Sequence, residues 1–383
     1  MNLTIKTLSG LEEVLAAELD ALGAEEIYIG RRVVVCEGDR RLMYRICYEC
    51  RTALRVLQPI ASFKTKHENH FYRKTQEIDW PEQFDLEDTF AIDAVTQSKY
   101  LNHSRYLALK TKDAIVDQFR VRHDGRRPSI DVRQPKLRLN VHIAPDNVCT
   151  ISRDASGGSL HRRGYRSESV EAPLNEVLAA GMLLLAEYDG SQPLYDPMCG
   201  SGTLPIEAAM IARNLPVQGN RREPFGFETW NDFDADLWEE VQLAARLNAR
   251  EQAQPIFGSD RDFAAYRASQ YNADAAGVGE SVSFFRQRFE KASPPTEEPG
   301  LVVMNPPYDE RLKSDEILAE YKMYGDVLKQ NFTGWTAWII SGNFTALKRI
   351  GLGAAKKIPL LNGKIECKFQ KYELYRGSRR DET

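Results

Sequence analysis

The chain is short of several features that would have fixed its class at once. No apolar run approaches the roughly 18 residues a membrane span needs, and the N-terminus has neither the basic nor the apolar region of a secretory signal. A cytoplasmic protein is the expectation. Cysteine is sparse and scattered, at positions 36, 47, 50, 149, 199 and 367, which suits a reducing compartment better than a disulfide framework. Cys47 and Cys50 make a single C-x-x-C with no second pair and no histidine at zinc spacing, so no metal is expected. A general excess of positive charge is also missing. The formal net charge is −4, which argues against a protein that coats nucleic acid indiscriminately.

What is present is a set of local signals. The stretch Leu194 to Leu204 runs from the end of a short apolar segment, Tyr195-Asp196, through a turn holding Gly200 and Gly202, into a helix-patterned segment from Thr203 to Arg213. This is a strand, a glycine loop and a helix start. The glycines admit positive φ and close backbone approach, and the helix start offers free N–H groups. No Lys-Ser/Thr follows the glycines, and the spacing is not G-x-G-x-x-G, so a nucleotide-phosphate site is disfavoured. A ligand carrying an amine and a ribose fits better, with Asp196 free to accept from either. About a hundred residues on, Leu301 to Tyr308 reads as a buried strand ending in Asn305-Pro306-Pro307-Tyr308. The two prolines stop the ladder and hold the Asn amide at the C-terminal edge of the sheet, where ligands of open α/β sheets sit.

The pair Asp196-Pro197-Met198-Cys199-Gly200-Ser201-Gly202-Thr203 and Asn305-Pro306-Pro307-Tyr308 resembles the S-adenosylmethionine-dependent amino-methyltransferases. The resemblance implies that the first motif holds the cofactor and the second presents an exocyclic nitrogen. Cofactor contacts are then expected from Asp196, Pro197, Met198, Gly200, Gly202, Thr203, Asp260, Arg261, Phe289 and Asn305. Catalytic roles are expected for Asn305, Pro306, Pro307 and Tyr308.

Three units follow from the order of patterns. Residues 1 to 62 read as βαββαβ, a ferredoxin-like order, with a capping box at Ser9-Gly10-Leu11-Glu12 and Gly23 closing the first helix. Residues 63 to 155 read as α+β, with a basic helix from Ser104 to Arg122 and alternating Leu137, Leu139, Val141 and Ile143 on a strand. This unit resembles a THUMP domain, an RNA-binding module. Residues 156 to 383 read as a Rossmann-like α/β domain whose mostly parallel sheet ends in an antiparallel hairpin turned at Asn362-Gly363. Between Lys99 and Arg138 there are eleven Lys or Arg against four Asp, and a second basic cluster runs from His161 to Arg166. Lys99, Arg105, Arg126, Arg127, Arg162, Arg163 and Arg166 are the expected RNA contacts.

One spacing is unusual. Asp260, the acidic residue placed to hold ribose hydroxyls, follows Asp196 by 64 residues because an aromatic-rich insertion, Asn214 to Arg250, separates the two strands. Such an insertion resembles that of the bacterial 23S rRNA guanine-N2 methyltransferases, and the likeness covers essentially the whole chain. It implies an RNA partner, 23S rRNA or a ribosome assembly intermediate. Two positions depart from the family pattern: Arg288 stands for an Asp near the adenine, leaving Phe289 or a backbone group to make that contact, and Asp309 stands for a Gly. A tRNA guanine methyltransferase, a DNA adenine-N6 methyltransferase and a non-catalytic RNA-binding assembly factor remain as alternatives.

Overall fold

The computed structural model describes residues 1–166, 173–307 and 314–375. The chain opens with β1 (Asn2–Lys6), α1 (Glu12–Ala21), β2 (Glu25–Gly30), β3 (Val33–Glu37), α2 (Arg40–Glu49) and β4 (Arg55–Lys64). The expected capping box does not form. Leu11 is the N-cap of α1 and gives no side-chain bond, while Glu12 reaches back to the Gly10 N–H at 2.7 Å and across to that of Arg32 at 2.9 Å. A carboxylate that can satisfy two backbone donors outside the helix leaves Ser9 without the capping role.

The next elements are α3 (Glu68–Gln76), which the sequence pattern does not suggest, then β5 (Thr89–Thr96), α4 (Ser104–Arg122), β6 (Ser129–Ile130), β7 (Leu137–Ile143) and β8 (Val148–Asp154). Strand β4 is long enough to pair with β1 near its start and with β8 along its length, so the first two units share one eight-stranded sheet in the order β2-β3-β1-β4-β8-β7-β5-β6. Leu137, Leu139, Val141 and Ile143 on β7 are all fully buried, as alternation on a central strand requires.

The C-terminal half contains α5 (Glu176–Leu185), β9 (Leu194–Asp196), α6 (Thr203–Ala212), α7 (Ala235–Leu247), β10 (Ile256–Asp260), α8 (Phe263–Ala275), β11 (Val282–Arg286), β12 (Leu301–Met304), α9 (Ser314–Asn331), β13 (Thr336–Ser341) and the hairpin β14 (Lys356–Asn362) and β15 (Ile365–Glu373). Its seven strands run in the order β11-β10-β9-β12-β13-β15-β14, with β11 through β13 parallel and the hairpin antiparallel. The order of the parallel strands reverses at β9 and β12, which sets a crevice at their C-terminal ends.

The insertion between α6 and β10 does not fold onto this seven-stranded sheet. Phe225, Phe227, Trp230 and Trp238 join the hydrophobic core of the N-terminal half, where Phe227 stacks on Tyr44 with ring centres 4.2 Å apart. Burying four large aromatics there ties the two halves together, since each contributes roughly 1.5–3 kcal/mol or more of apolar burial. A second tie is polar. Arg51, at the end of α2, donates to the carbonyls of Met210 and Leu215 at the end of α6.

Candidate active site

Strand β9 ends at Asp196, and β10 runs parallel beside it with Gly258 opposite Asp196, so Asp260 projects beyond the edge next to the glycine loop. The loop is tied to that carboxylate directly: the Gly200 N–H donates to Asp260 Oδ2 at 3.0 Å. Gly200 and Gly202 both take positive φ, at 53° and 85°. At Gly202 a side chain is also excluded by space, because a Cβ would lie 2.9 Å from the Ser269 Cβ on α8. That close approach brings α6 and α8 together directly behind the loop.

Side chains brace the loop from three directions. Tyr195 Oη is hydrogen-bonded to Ser259 Oγ at 2.8 Å, and Ser259 Oγ donates to the Pro197 carbonyl at 3.3 Å. Asn272 on α8 donates to the Ser201 carbonyl at 3.0 Å. Arg166 donates to Ser201 Oγ and to Thr203 Oγ1, each at 3.1 Å, while also holding Glu176 at 2.9 Å and the Leu174 carbonyl at 3.0 Å. None of Ser259, Asn272 or Arg166 is marked as a loop brace by its sequence context, because an isolated Ser, Asn or Arg carries no periodic signal.

Asp196 is the electrostatic centre of this arrangement. It is buried, and its Oδ1 accepts the Met198 N–H at 3.1 Å. Burial pushes its carboxyl well above the usual range, and the nearby Asp260 pushes the same way. Among the described residues no cation offsets the two. A ligand with an ammonium group would supply the missing charge, and in this respect the residues fit the methionine end of S-adenosylmethionine.

Across the crevice β12 pairs with β9, Val302 opposite Tyr195, and carrying that register forward brings Asn305 out of its strand alongside the glycine loop. Pro306 is buried and Pro307 exposed. Asn305 Oδ1 is buried and has no hydrogen-bond partner among the described residues. A buried amide oxygen left unpaired costs roughly 1–3 kcal/mol, so it marks a place where a donor is expected to arrive. The Asn-Pro-Pro turn is held from behind by Tyr321 on α9, whose Oη donates to the Pro307 carbonyl at 3.4 Å and is hydrogen-bonded to Ser341 Oγ at 2.7 Å. Nothing in the sequence pattern singles out Tyr321 or Ser341. Tyr308 and Asp309 lie outside the described residues.

Other expected positions divide. Pro197 is buried, Met198 half-buried, and Thr203 is buried with its hydroxyl occupied by Arg166, whereas Arg261 is exposed. Phe289 is buried, with its ring edge-on to that of Tyr324 at 5.1 Å. Arg288 is exposed.

The RNA contacts need two corrections. Lys99, Arg105, Arg126, Arg127 and Arg162 are exposed. Arg163 is fully buried: it donates to Glu207 at 3.4 Å and to the Leu160 and Arg51 carbonyls, and cannot reach a phosphate. Arg166 is committed to the glycine loop, as described. The basic stretch from 99 to 138 is also less positive than its own count suggests, because Arg122, Arg126, Lys136 and Arg138 pair with Asp79, Glu87, Asp88 and Asp93, which lie outside that stretch.

Comparison with known proteins matches residues 163–371 to the RMKL-like methyltransferase domain family, residues 65–154 to the THUMP domain and residues 2–57 to the RlmL ferredoxin-like domain. The chain is 42% identical over 96% of its length to a Synechocystis sp. protein bearing the name of an RNA methyltransferase, and covers 95% of that relative. It is 42% identical over 95% of its length to the ribosomal RNA large subunit methyltransferase K/L of Syntrophotalea carbinolica, of which it spans only 52%, about half. In structure it is similar to SMU.472, a protein described by name as a methyltransferase and solved in complex with S-adenosylhomocysteine, with a TM-score of 0.88, 25% identity, and coverage of 98% of this chain and 99% of that one.

Proposed function

Because this chain belongs to the RMKL-like methyltransferase family, we propose that it moves a methyl group from S-adenosylmethionine to the exocyclic N2 of a guanine in 23S ribosomal RNA. The observation that carries this reading is Asn305 Oδ1, buried and without a partner among the described residues at the lip of the crevice. Guanine N2 is a poor nucleophile because its lone pair is delocalised into the ring. An acceptor that takes a hydrogen bond from the NH₂ group favours the pyramidal, electron-rich nitrogen of the transition state over the planar ground state.

The bound cofactor supplies an electrophilic methyl group on a positively charged sulfur. Asp196 balances the ammonium of the methionine end, Asp260 accepts from the ribose hydroxyls, and the glycine loop lets the backbone approach without side chains intervening. With the cofactor held there, transfer would form the N–C bond as the S–C bond broke, release a neutral thioether, and leave the methylated amine to give its extra proton to water. No strong general base is needed, so positioning is the main contribution of the protein. The target base has to leave its stack to reach Asn305, and an aromatic ring at position 308 suits it as a stacking partner. The THUMP unit with Lys99, Arg105, Arg126, Arg127 and Arg162 on its surface and at the linker supports RNA as the substrate.

Mass spectrometry of nucleosides from cells lacking the protein tests the reading. The expected result is loss of N2-methylguanosine at one site of 23S rRNA with tRNA unchanged. Loss from tRNA alone would move the substrate to tRNA, and no change in either pool would overturn the proposal.

A further inference from the structure

Unpaired positive charge on the described surface is not confined to the THUMP unit. Arg261 follows the last residue of β10, Arg267 lies one turn into α8, Arg286 ends β11 and Arg288 comes two residues later. All four are exposed, and none has a carboxylate partner among the described residues, whereas Arg120, Arg122 and Arg126 of the THUMP unit are each paired to one. The acidic side chains on either side of Arg261 are engaged elsewhere: Asp262 caps α8 at the Ala265 N–H, 2.9 Å away, and Asp260 holds Gly200.

Two exposed aromatics sit among these arginines. Phe263, the first residue of α8, is 54% exposed and Tyr271 is 49% exposed. The guanidinium carbons of Arg267 and Arg286 each lie 6.0 Å from the centre of the Phe263 ring, and Arg267 lies 5.1 Å from that of Tyr271. Helix α8 packs through Ala265, Ala268, Ser269, Asn272 and Ala273, on its other face, so Phe263 is not part of its packing face and its ring neighbour is Tyr266, 6.3 Å away. Arg267 donates to Tyr271 Oη and Arg286 to the Arg261 carbonyl at 3.0 Å, which leaves both guanidinium groups without a carboxylate partner among the described residues. A half-exposed aromatic ring flanked by two such groups matches what unstacked nucleic acid binds: a base on the ring and phosphates on the arginines. The patch is also well placed. It stands at the C-terminal edge of β10 and β11, and β11 is three strands from β12 in the sheet order, about 14 Å at ordinary strand spacing from the strand that carries Asn305.

We propose that this corner of the catalytic domain is a second RNA contact, binding the single-stranded nucleotides that flank the target base, with Phe263 as the stacking platform. The inference rests on the proposed RNA substrate. It assigns the grip near the reacting base to the catalytic domain and leaves the THUMP unit to hold the RNA farther off.

Filter binding of a full-length 23S rRNA transcript to the full chain, across a salt series, tests this with S-adenosylhomocysteine titration run in parallel. R267E/R286E is expected to weaken transcript binding about tenfold or more and to lower the salt slope by about two, one for each phosphate that is no longer neutralised. F263A is expected to cost about tenfold and F263W to restore binding, as base stacking requires. Affinity for S-adenosylhomocysteine should stay within about twofold in all three variants. Unchanged RNA affinity and salt slope would overturn this inference alone. Equal loss of RNA and S-adenosylhomocysteine binding would also overturn it, by making the patch part of the cofactor pocket. Failure of the unmodified protein to bind the transcript would instead overturn the RNA reading itself, and this inference with it.

Discussion

Arg163 and Glu207 form an ion pair at 3.4 Å with both side chains fully buried, and the pair lies where the linker from the RNA-binding half meets helix α6 of the catalytic half. Tyr165 donates to the same Glu207 oxygen at 3.1 Å, while the other oxygen has no partner among the described residues. Every residue of α6 is buried, so without this arginine Glu207 would keep only the Tyr165 hydroxyl and the more distant charge of Arg51.

Arg163→Met is therefore expected to destabilise the protein by about 3–5 kcal/mol, the usual cost of stranding one member of a buried pair. Urea denaturation measures it. The double variant Arg163→Met/Glu207→Leu should recover most of the loss, because the stranded carboxylate is then gone too. The salt dependence of RNA binding should not change for the folded fraction. Arg162→Glu, at an exposed neighbouring position, should do the reverse: weaken RNA binding and leave stability within about 0.5 kcal/mol.

The loop motifs and the Arg163 pair differ in how far the sequence reveals them. Gly200 and Gly202 are legible because a turn with positive φ has a chemical requirement that glycine meets, and Asn305 is legible because two following prolines end a strand at a known edge of the sheet. Arg163 is easily misread because a basic run looks the same whether its charges point out or in. Only the structure separates them: Arg162 and Gly164 are exposed while Arg163 and Tyr165 are buried, in a segment that bends at Gly164 with φ 92°. The lone Glu207 in an apolar helix requires a cation. Helix α3 and the docking of the insertion on the N-terminal core are hidden for a different reason: α3 is polar and short, and its place is set by packing against α4, which local patterns do not encode.

The raised carboxyl of Asp196 gives a pH dependence of known sign. A group whose acid form is favoured in the folded state holds its proton more tightly there than in the unfolded chain. The ligand-free protein is then spared the cost of a buried charge below the ordinary carboxylate range and loses stability as pH rises from that range through the raised value. Asp196→Asn removes the titration. Its ligand-free form should melt roughly 2–4 °C above the unmodified protein at pH 8, with the gap closing as pH falls. Differential scanning fluorimetry measures this, and a constant gap across pH would contradict it. The same variant should bind S-adenosylhomocysteine at least about tenfold more weakly, since the ammonium loses its partner.

Tyr321 acts on the site through Pro307 and is a positioning residue. Tyr321→Phe keeps the buried ring and removes the hydroxyl that links the turn to Ser341, at a cost of about 0.5–1.5 kcal/mol in stability. If the bond orients the turn for catalysis, kcat should fall by about tenfold with the Michaelis constant for RNA unchanged. A stability loss with unchanged kcat would reduce the bond to a purely structural one.

Asn305 carries the central claim, and single-turnover methyl transfer from tritiated cofactor to a 23S rRNA transcript tests it most directly. Loss of one well-placed group of this kind costs roughly 2.7–4 kcal/mol in the transition state, so Asn305→Ala should react on the order of a hundredfold or more slowly. Its stability should not fall, because Oδ1 has no partner among the described residues to lose. Affinities for the transcript and for S-adenosylhomocysteine should hardly move, since the interaction strengthens only as the nitrogen becomes pyramidal. A slow enzyme that still binds both ligands is the predicted result. Transfer at the unmodified rate would place the reacting nitrogen elsewhere and contradict the account.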